Sequence, residues 1–244
     1  MEASASPSAP APGGLDSAAG RLVGALVAPR RTFAAIAARP TFLVPLVLWT
    51  ALSFLVSELV LSRTDWRSTI AEGAAHRDQK LTDAQLDQMA ESSKKFAWIF
   101  EVIAAIVPAA IAVITAGALW MGCQAFGWEL KFRQSIGVVS HAFLPGILSA
   151  VVLFAVLWGR ATIDPQEMDE VLRTNPSFLV SAHSDKVLHS LLASFDVLSF
   201  WTMTLLVLGL SAATGASKGR VAALVLTLWG LYVLGKAGLG IAFS

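Results

Sequence analysis

Charged residues are scarce in this sequence of 244 residues: Asp, Glu, Lys and Arg make up 14% of it, whereas a soluble globular domain carries about 25%. Cysteine occurs once, at Cys123, which excludes an intramolecular disulfide and a cysteine-rich zinc site. The 18 basic and 17 acidic residues leave a formal net charge of +1, so the basic excess typical of nucleic-acid-binding proteins is missing. Catalytic signatures are also missing, since there is no phosphate loop, GxSxG or HExxH motif. These absences predict a protein without nucleic-acid, cofactor, metal or catalytic sites.

Apolar residues, by contrast, are abundant, at 55% with a mean hydropathy of +0.65. A helix that crosses the hydrocarbon core of a bilayer needs about 20 of them in a row. Lipid offers backbone groups no hydrogen-bond partner, so spans are helices or closed barrels, and these runs lack the alternation of barrel strands. A large soluble all-α core is the alternative, but five nearly uncharged runs argue against it. The sequence predicts an all-α polytopic membrane protein, a bundle of five transmembrane helices, over residues 41–62, 97–122, 136–159, 195–214 and 221–243.

The first twenty residues differ from the rest in composition. They are mostly Ala, Ser, Pro and Gly, so we expect residues 1–20 to form a disordered tail ahead of a membrane domain over 21–244. No basic region precedes a short apolar stretch at the extreme N-terminus, so this segment is not a signal peptide. We therefore expect the first span to act as the targeting signal and to remain in the mature protein.

A short basic segment between Pro29 and Pro40 precedes the first span. Proline is favoured at the start of a helix and disfavoured within it, so this segment is predicted to be one helix. Its apolar residues Phe33 and Ile36 share one face, and its basic side chains lie elsewhere: Arg30, Arg31 and Arg39. An amphipathic helix of this kind lies in the headgroup layer of the membrane. Lipid sensing, partner docking and simple anchoring are all compatible with this pattern.

The distribution of basic residues predicts how the chain is oriented. Lys and Arg are denser in the short segments 21–40, 123–135 and 215–220 than in the long, acidic segments 63–96 and 160–194. Basic loops stay on the cytoplasmic side. We therefore expect the N-terminus in the cytoplasm and the C-terminus outside.

Each predicted span contains a single ionisable residue, and burying one in a membrane is costly. Four of them lie near the outer interface in the predicted topology: Glu58, Glu101, Asp196 and Lys236. The fourth and fifth spans are joined by a tight connection and must be antiparallel neighbours, so Asp196 and Lys236 are expected to form a structural clamp. The alternative is an ion or substrate site open to the outside. His141 stands alone near the inner side.

Prolines and small residues suggest details of the packing. Pro108 in the second span and Pro145 in the third are candidates for helix kinks. Glycines recur in the last two spans and are expected to let these two helices pack closely. The loop residues His183, Asp185 and His189 have irregular spacing, which is weak evidence for a metal site. Cys123 is either an inert apolar residue or a site of palmitoylation.

The second half of the chain contains a recognisable series of motifs: Ser194–Trp201, Leu208–Ser211, Ser217–Arg220, Trp229 and Gly235-Lys236. This series resembles the motifs of the Ypt-interacting-protein (Yip) family. Two earlier patterns are similar as well: the entry into the first span, with Pro29, Phe33, Ile36 and Pro40, and the sequence Phe143-Leu144-Pro145. The resemblance implies five helical spans and a cytoplasmic N-terminus. Eukaryotic members of this family bind prenylated Rab-type GTPases and act in vesicle traffic, whereas bacterial members are mostly of unknown role.

These observations favour a non-enzymatic membrane protein that binds or organises other membrane proteins or lipids. Small GTPases are partners only if the eukaryotic role applies, and the Ala-, Trp- and Arg-biased composition is typical of a bacterial inner-membrane protein. The alternative is a small-solute or ion transporter that uses the outer charged layer. The sequence leaves the oligomeric state open.

Overall fold

A computed structural model describes residues 15–75, 77–165, 168–171, 175–180 and 186–242 of the chain. All regular elements in this part are helical. The α-helices are α1 (Ala18–Val27), α2 (Pro29–Ala38), α3 (Leu43–Arg63), α4 (Trp66–Ala75), α5 (Asp83–Ala125), α6 (Phe132–Ala142), α7 (Leu144–Trp158), α8 (Met168–Val171), α9 (Lys186–Ala193), α10 (Val197–Thr214) and α11 (Lys218–Ala242), with a 3₁₀ turn at Pro176–Leu179.

Five segments are long and apolar enough to cross a membrane, which confirms the predicted all-α, five-span architecture. They are Leu43–Arg63, Asp83–Ala125, Phe132–Trp158, Val197–Thr214 and Lys218–Gly238. We refer to the end of the bundle that carries α1, α2 and residues 126–131 as the amino-terminal end, and to the opposite end, with the described residues among 64–82 and 159–196, as the far end. Residues 1–14 of the predicted tail lie outside the described residues, and α1 begins at Ala18 with Ser17 as its N-cap.

Helix α5 is much longer than a membrane span. Its 43 residues correspond to about 65 Å at 1.5 Å per residue, compared with about 30 Å for a hydrocarbon core. It begins 14 residues before the apolar run because Thr82 caps it: Thr82 Oγ1 accepts a hydrogen bond from the Gln85 amide, and Gln85 Oε1 accepts one from the Thr82 amide at 2.9 Å. The extra turns extend past the apolar surface at the far end.

Helix α4 packs beside this extension of α5, and one arginine joins the two. The Arg67 guanidinium donates to Asp87 at 2.8 Å and to Asp83, both in the first turns of α5. These hydrogen bonds, with that to Asp87 the stronger influence, raise the pKa of Arg67 above its usual value. The far end therefore carries a solvated helical projection.

The third span is interrupted, whereas the second is continuous. Helix α6 ends at Ala142 and α7 begins at Leu144, with Phe143 between them. Pro145 has no amide hydrogen to continue the hydrogen-bond ladder of α6, so the predicted kink is a break in the helix. Pro108 lies inside α5 and leaves that helix unbroken.

The apolar face of helix α2 is part of the bundle core. Phe33 and Ile36 are both 0% exposed and belong to the main apolar cluster, and α2 packs mainly on α10 and α6. The apolar face predicted at Phe33 and Ile36 is therefore covered by protein, and the position of α2 at the membrane surface stays a prediction. An amphipathic helix has the same sequence pattern whether lipid or protein covers its apolar face. In this structure, protein covers the apolar face of α2.

The glycines in the last two spans also behave differently from the prediction. A Cβ atom on Gly209 would lie 2.4 Å from Val138 Cγ1 of α6 and 2.8 Å from Phe33 Cδ1 of α2, so Gly209 lets these helices approach α10. Gly230 and Gly235 of α11 would meet nothing within 4 Å. Helix α11 packs on α10, but the glycine that permits a close approach to α11 is on α5, where a Cβ on Gly122 would lie 2.6 Å from Leu224 Cδ1.

Candidate functional site

The amino-terminal end of the bundle presents a row of arginines on a helix whose position is fixed. Because Phe33 and Ile36 point into the core, the side chains of α2 on the opposite side face outward, and these include Arg30, Arg31 and, just after the helix, Arg39. Gln134 Nε2 of α6 donates to the Ala37 carbonyl at 3.0 Å and holds the end of α2. We call the exposed arginines 30, 31 and 39 the basic surface.

Arg21 lies behind this surface and joins three segments of chain. Its Nε donates to the Leu15 carbonyl at 2.6 Å, and its Nη1 donates to the Arg39 carbonyl at 2.7 Å and to Thr41 Oγ1 at 2.9 Å. The residue is 6% exposed. Sequence reasoning counted Arg21 only as one more basic loop residue, and a single arginine beside a helix start offers no signal for this role.

At the far half of the bundle, the structure brings together two of the four charged residues predicted to share a layer. The carboxyl groups of Glu58 on α3 and Glu101 on α5 lie close to each other, and α3 and α5 form the most extensive pair among the described helices.

Asp196 and Lys236 are both half-buried, and the clamp between them stays a prediction. Asp196 has a second role that the sequence analysis missed: its Oδ1 accepts from the amides of Leu198 at 2.7 Å and Ser199 at 3.3 Å and thereby caps α10. An aspartate directly before an apolar run is a typical N-cap signal.

The sequence analysis also missed the role of an arginine at the far end. Arg63, the last residue of α3, directs Nη1 at three carbonyl oxygens around the end of α7: those of Leu157, Trp158 and Arg160. Its guanidinium carbon also lies 5.6 Å from the centre of the Trp158 ring. A cation at a helix C-terminus is favoured by the unpaired carbonyls and the helix dipole, so Arg63 fastens α3 to α7.

Buried polar side chains within the spans bind backbone oxygen atoms. Ser135 Oγ donates to the Ala116 carbonyl at 2.7 Å and thereby links α6 to α5. His141 is 1% exposed, and its Nδ1 lies 2.9 Å from the Gly137 carbonyl, one turn earlier in α6. Since a carbonyl only accepts, Nδ1 carries the proton in this contact. Ser135 therefore joins two helices, whereas the contact of His141 lies within α6.

Within the described ranges, no group of three His, Cys, Asp or Glu residues could hold a metal ion. His183 and Asp185 lie outside the described residues, so the weak metal motif is untested. Cys123 is fully buried in the main apolar cluster, an environment that suits an inert apolar residue and leaves its thiol no route to palmitoylation.

The comparison with protein families decides the classification of the chain. The model of the Yip1 domain matches residues 23–239, which includes α2 and all five spans. The chain belongs to the Yip1 family. This confirms the resemblance seen in the motifs, and together with the five apolar helices it establishes a multi-pass integral membrane protein. Neither a curated protein nor a solved structure gives a significant match. In this Yip1 protein, Arg21 lies just before the matched region and the basic surface lies inside it.

Proposed function

We propose that this Yip1 protein is a non-enzymatic membrane protein that binds or organises other membrane proteins or lipids, and that the basic surface is where it does so. The observation that carries the proposal is that α2 is locked by its apolar face while its arginines face outward. A rigid cationic surface binds acidic partners without the entropic cost of ordering a flexible segment.

Charge supports the same conclusion. Each Lys or Arg near an anionic membrane surface contributes about 1 kcal/mol of attraction. Arg30 and Arg31 are exposed, and Arg39 has a side chain that is 81% exposed. We place this end of the bundle in the cytoplasm, in a bacterial inner membrane, where anionic lipid and acidic protein segments are available partners. Prenylated small GTPases are candidates only if the eukaryotic role applies.

The test compares two double variants of the full chain in native membranes. Arg30→Gln/Arg31→Gln removes two charges from the basic surface, and Lys94→Gln/Lys95→Gln removes two adjacent exposed charges from the far end of α5. After crosslinking and purification, we expect the arginine variant to retain less anionic lipid and fewer crosslinked membrane proteins than the wild type.

The lysine variant is the control and is expected to match the wild type. Equal recovery of lipid and crosslinked proteins from all three proteins would contradict the proposal, because it would mean that the basic surface contributes nothing to association.

A second candidate function is transport of a small solute or ion, and the contact between Glu58 and Glu101 favours it. Carboxyl groups inside membranes commonly mark proton or ion pathways. Against this candidate, the buried polar groups Ser135 and His141 are directed at backbone carbonyls. Robust solute flux into liposomes that is abolished by Glu101→Gln would establish transport, whereas absence of flux would leave the binding function.

A further inference from the structure

Arg21 retains hydrogen-bonding capacity that the fold does not use. An arginine has five N–H donors, and the contacts of Arg21 engage Nε and Nη1 with Leu15, Arg39 and Thr41. Among the described residues, none of these contacts uses Nη2, and Arg21 as a whole is 6% exposed.

In the part of the chain that the structure describes, no carboxylate forms an ion pair with Arg21. Its three acceptors are neutral oxygen atoms, and the ion pairs among the described residues involve Arg39 and Arg67 instead. A buried cation is expensive unless an anion or several dipoles offset it. An anion that reaches Nη2 would complete this environment.

A second arginine contacts Arg21 through its backbone. Arg21 binds the backbone carbonyl of Arg39, whose side chain is 81% exposed and whose described ionic partner is Asp16 at 3.7 Å, itself 96% exposed. An exposed ion pair at this separation contributes little, so Arg39 is readily available to a stronger anionic ligand.

The position of these two arginines in the fold indicates the source of the anion. The lipid-facing apolar surface begins immediately after Thr41, with Leu43 65% exposed and Val47 63% exposed on α3. The arginines therefore lie at the depth where hydrocarbon gives way to headgroups, which is the level of lipid phosphates.

We propose that Arg21 and Arg39 form a binding site for the phosphate group of a lipid headgroup. Guanidinium groups bind phosphate oxygens through charge-assisted hydrogen bonds, with Nη2 of Arg21 and the exposed side chain of Arg39 as donors. The proposal rests on the proposed function and deepens it, because it names a ligand class and a discrete site formed by one arginine of the basic surface and the buried arginine behind it.

The experiment uses the purified full chain in neutral detergent and three probes. They are dioctanoyl phosphatidic acid, dioctanoylglycerol, which lacks only the phosphate, and inorganic phosphate. A ligand that binds the folded state raises the thermal midpoint as its concentration increases. We expect phosphatidic acid to raise it and dioctanoylglycerol to leave it unchanged.

Two variants decide whether the bound phosphate is at the proposed site. Arg39→Gln leaves intact the backbone carbonyl that Arg21 uses, and losing one charge-assisted contact is expected to weaken the apparent affinity for phosphatidic acid about tenfold. Asp16→Asn removes the competing carboxylate and is expected to strengthen binding. These variants avoid Arg21 itself, whose loss would also release three structural hydrogen bonds.

Unchanged affinity in Arg39→Gln, or no stabilisation of the wild type by any phosphate probe, would overturn the site. Stabilisation by inorganic phosphate with the same dependence on Arg39 supports the site and identifies the free anion as its ligand. The Arg30→Gln/Arg31→Gln variant separates the two proposals: we expect it to lose crosslinked partners while keeping its affinity for phosphatidic acid. If the Arg30→Gln/Arg31→Gln variant loses its crosslinked partners while Arg39→Gln keeps the wild-type affinity for phosphatidic acid, the phosphate site is ruled out and the proposed function stands.

Discussion

Phe33 on α2 packs against Gly209 on α10 and fills the space that a side chain at position 209 would need. A Cβ atom at that position would lie 2.8 Å from Phe33 Cδ1 and 2.4 Å from Val138 Cγ1. Both neighbours are fully buried, so neither has room to move aside. This contact holds α2 in the bundle and thereby determines which way its arginines face.

Gly209→Ala is expected to destabilise the protein by about 1–3 kcal/mol, because the added methyl group overpacks a dense core. The measurement is the thermal midpoint of the purified protein in detergent. Gly230→Ala is the matched control, since a Cβ there would meet nothing within 4 Å. Equal midpoints for the two variants would contradict the described packing of α10.

Phe33→Ala is expected to cost about 3–5 kcal/mol, the usual penalty for removing a fully buried aromatic ring. It should also loosen α2 and make its flanks accessible to protease in reconstituted vesicles. Phe54→Ala on the lipid-facing side of α3, where Phe54 is 40% exposed, removes the same atoms from a surface position. If both variants lose the same stability, Phe33 is not a core residue.

Arg63→Gln is expected to lower stability by about 2 kcal/mol, because three carbonyl oxygens at the end of α7 lose a cationic donor. Thermal unfolding monitored by tryptophan fluorescence reports the change, and the quenching of Trp158 should change with it. Arg77→Gln, at an exposed position of the same end, is expected to behave as the wild type. An unchanged midpoint for Arg63→Gln would show that the α3–α7 junction does not depend on this side chain.

Lys236→Met tests the predicted clamp with Asp196. Removing one member of a partly buried ion pair strands the other, with an expected loss of about 1–3 kcal/mol and a lower folded yield in membranes. Asp196→Asn/Lys236→Met should recover part of that loss, because asparagine still caps α10 and carries no charge. An undiminished yield and midpoint in Lys236→Met would exclude the clamp.

The predicted topology places the two chain ends on opposite sides of the membrane. Reporters fused to the N-terminus and to the C-terminus are expected to give opposite signals, with the N-terminal one active in the cytoplasm. Both reporters on the same side would contradict either the orientation or the number of spans in the membrane.

The five spans could be predicted from the sequence because the length of an apolar run is read from consecutive residues. That length decides whether a helix can cross the hydrocarbon core of a bilayer. The sequence could not show that protein covers the apolar face of α2, since an amphipathic helix has the same residue pattern whether lipid or protein covers that face. The contact between Glu58 and Glu101 and the carbonyl contacts of Arg63 were also out of reach. Both depend on how each helix is rotated toward its neighbours, which the packing of the whole bundle determines.

The continuity of α5 has a mechanical consequence. The helix runs from the solvated far end through the bundle without interruption at Pro108, so it acts as a single lever with its fulcrum in the bilayer. For a rod of about 65 Å, a tilt of about 10° sweeps one end sideways by about 11 Å relative to the other. A change in the tilt of α5 within the bundle would therefore move its solvated end, together with the attached α4, by a distance that its full length determines.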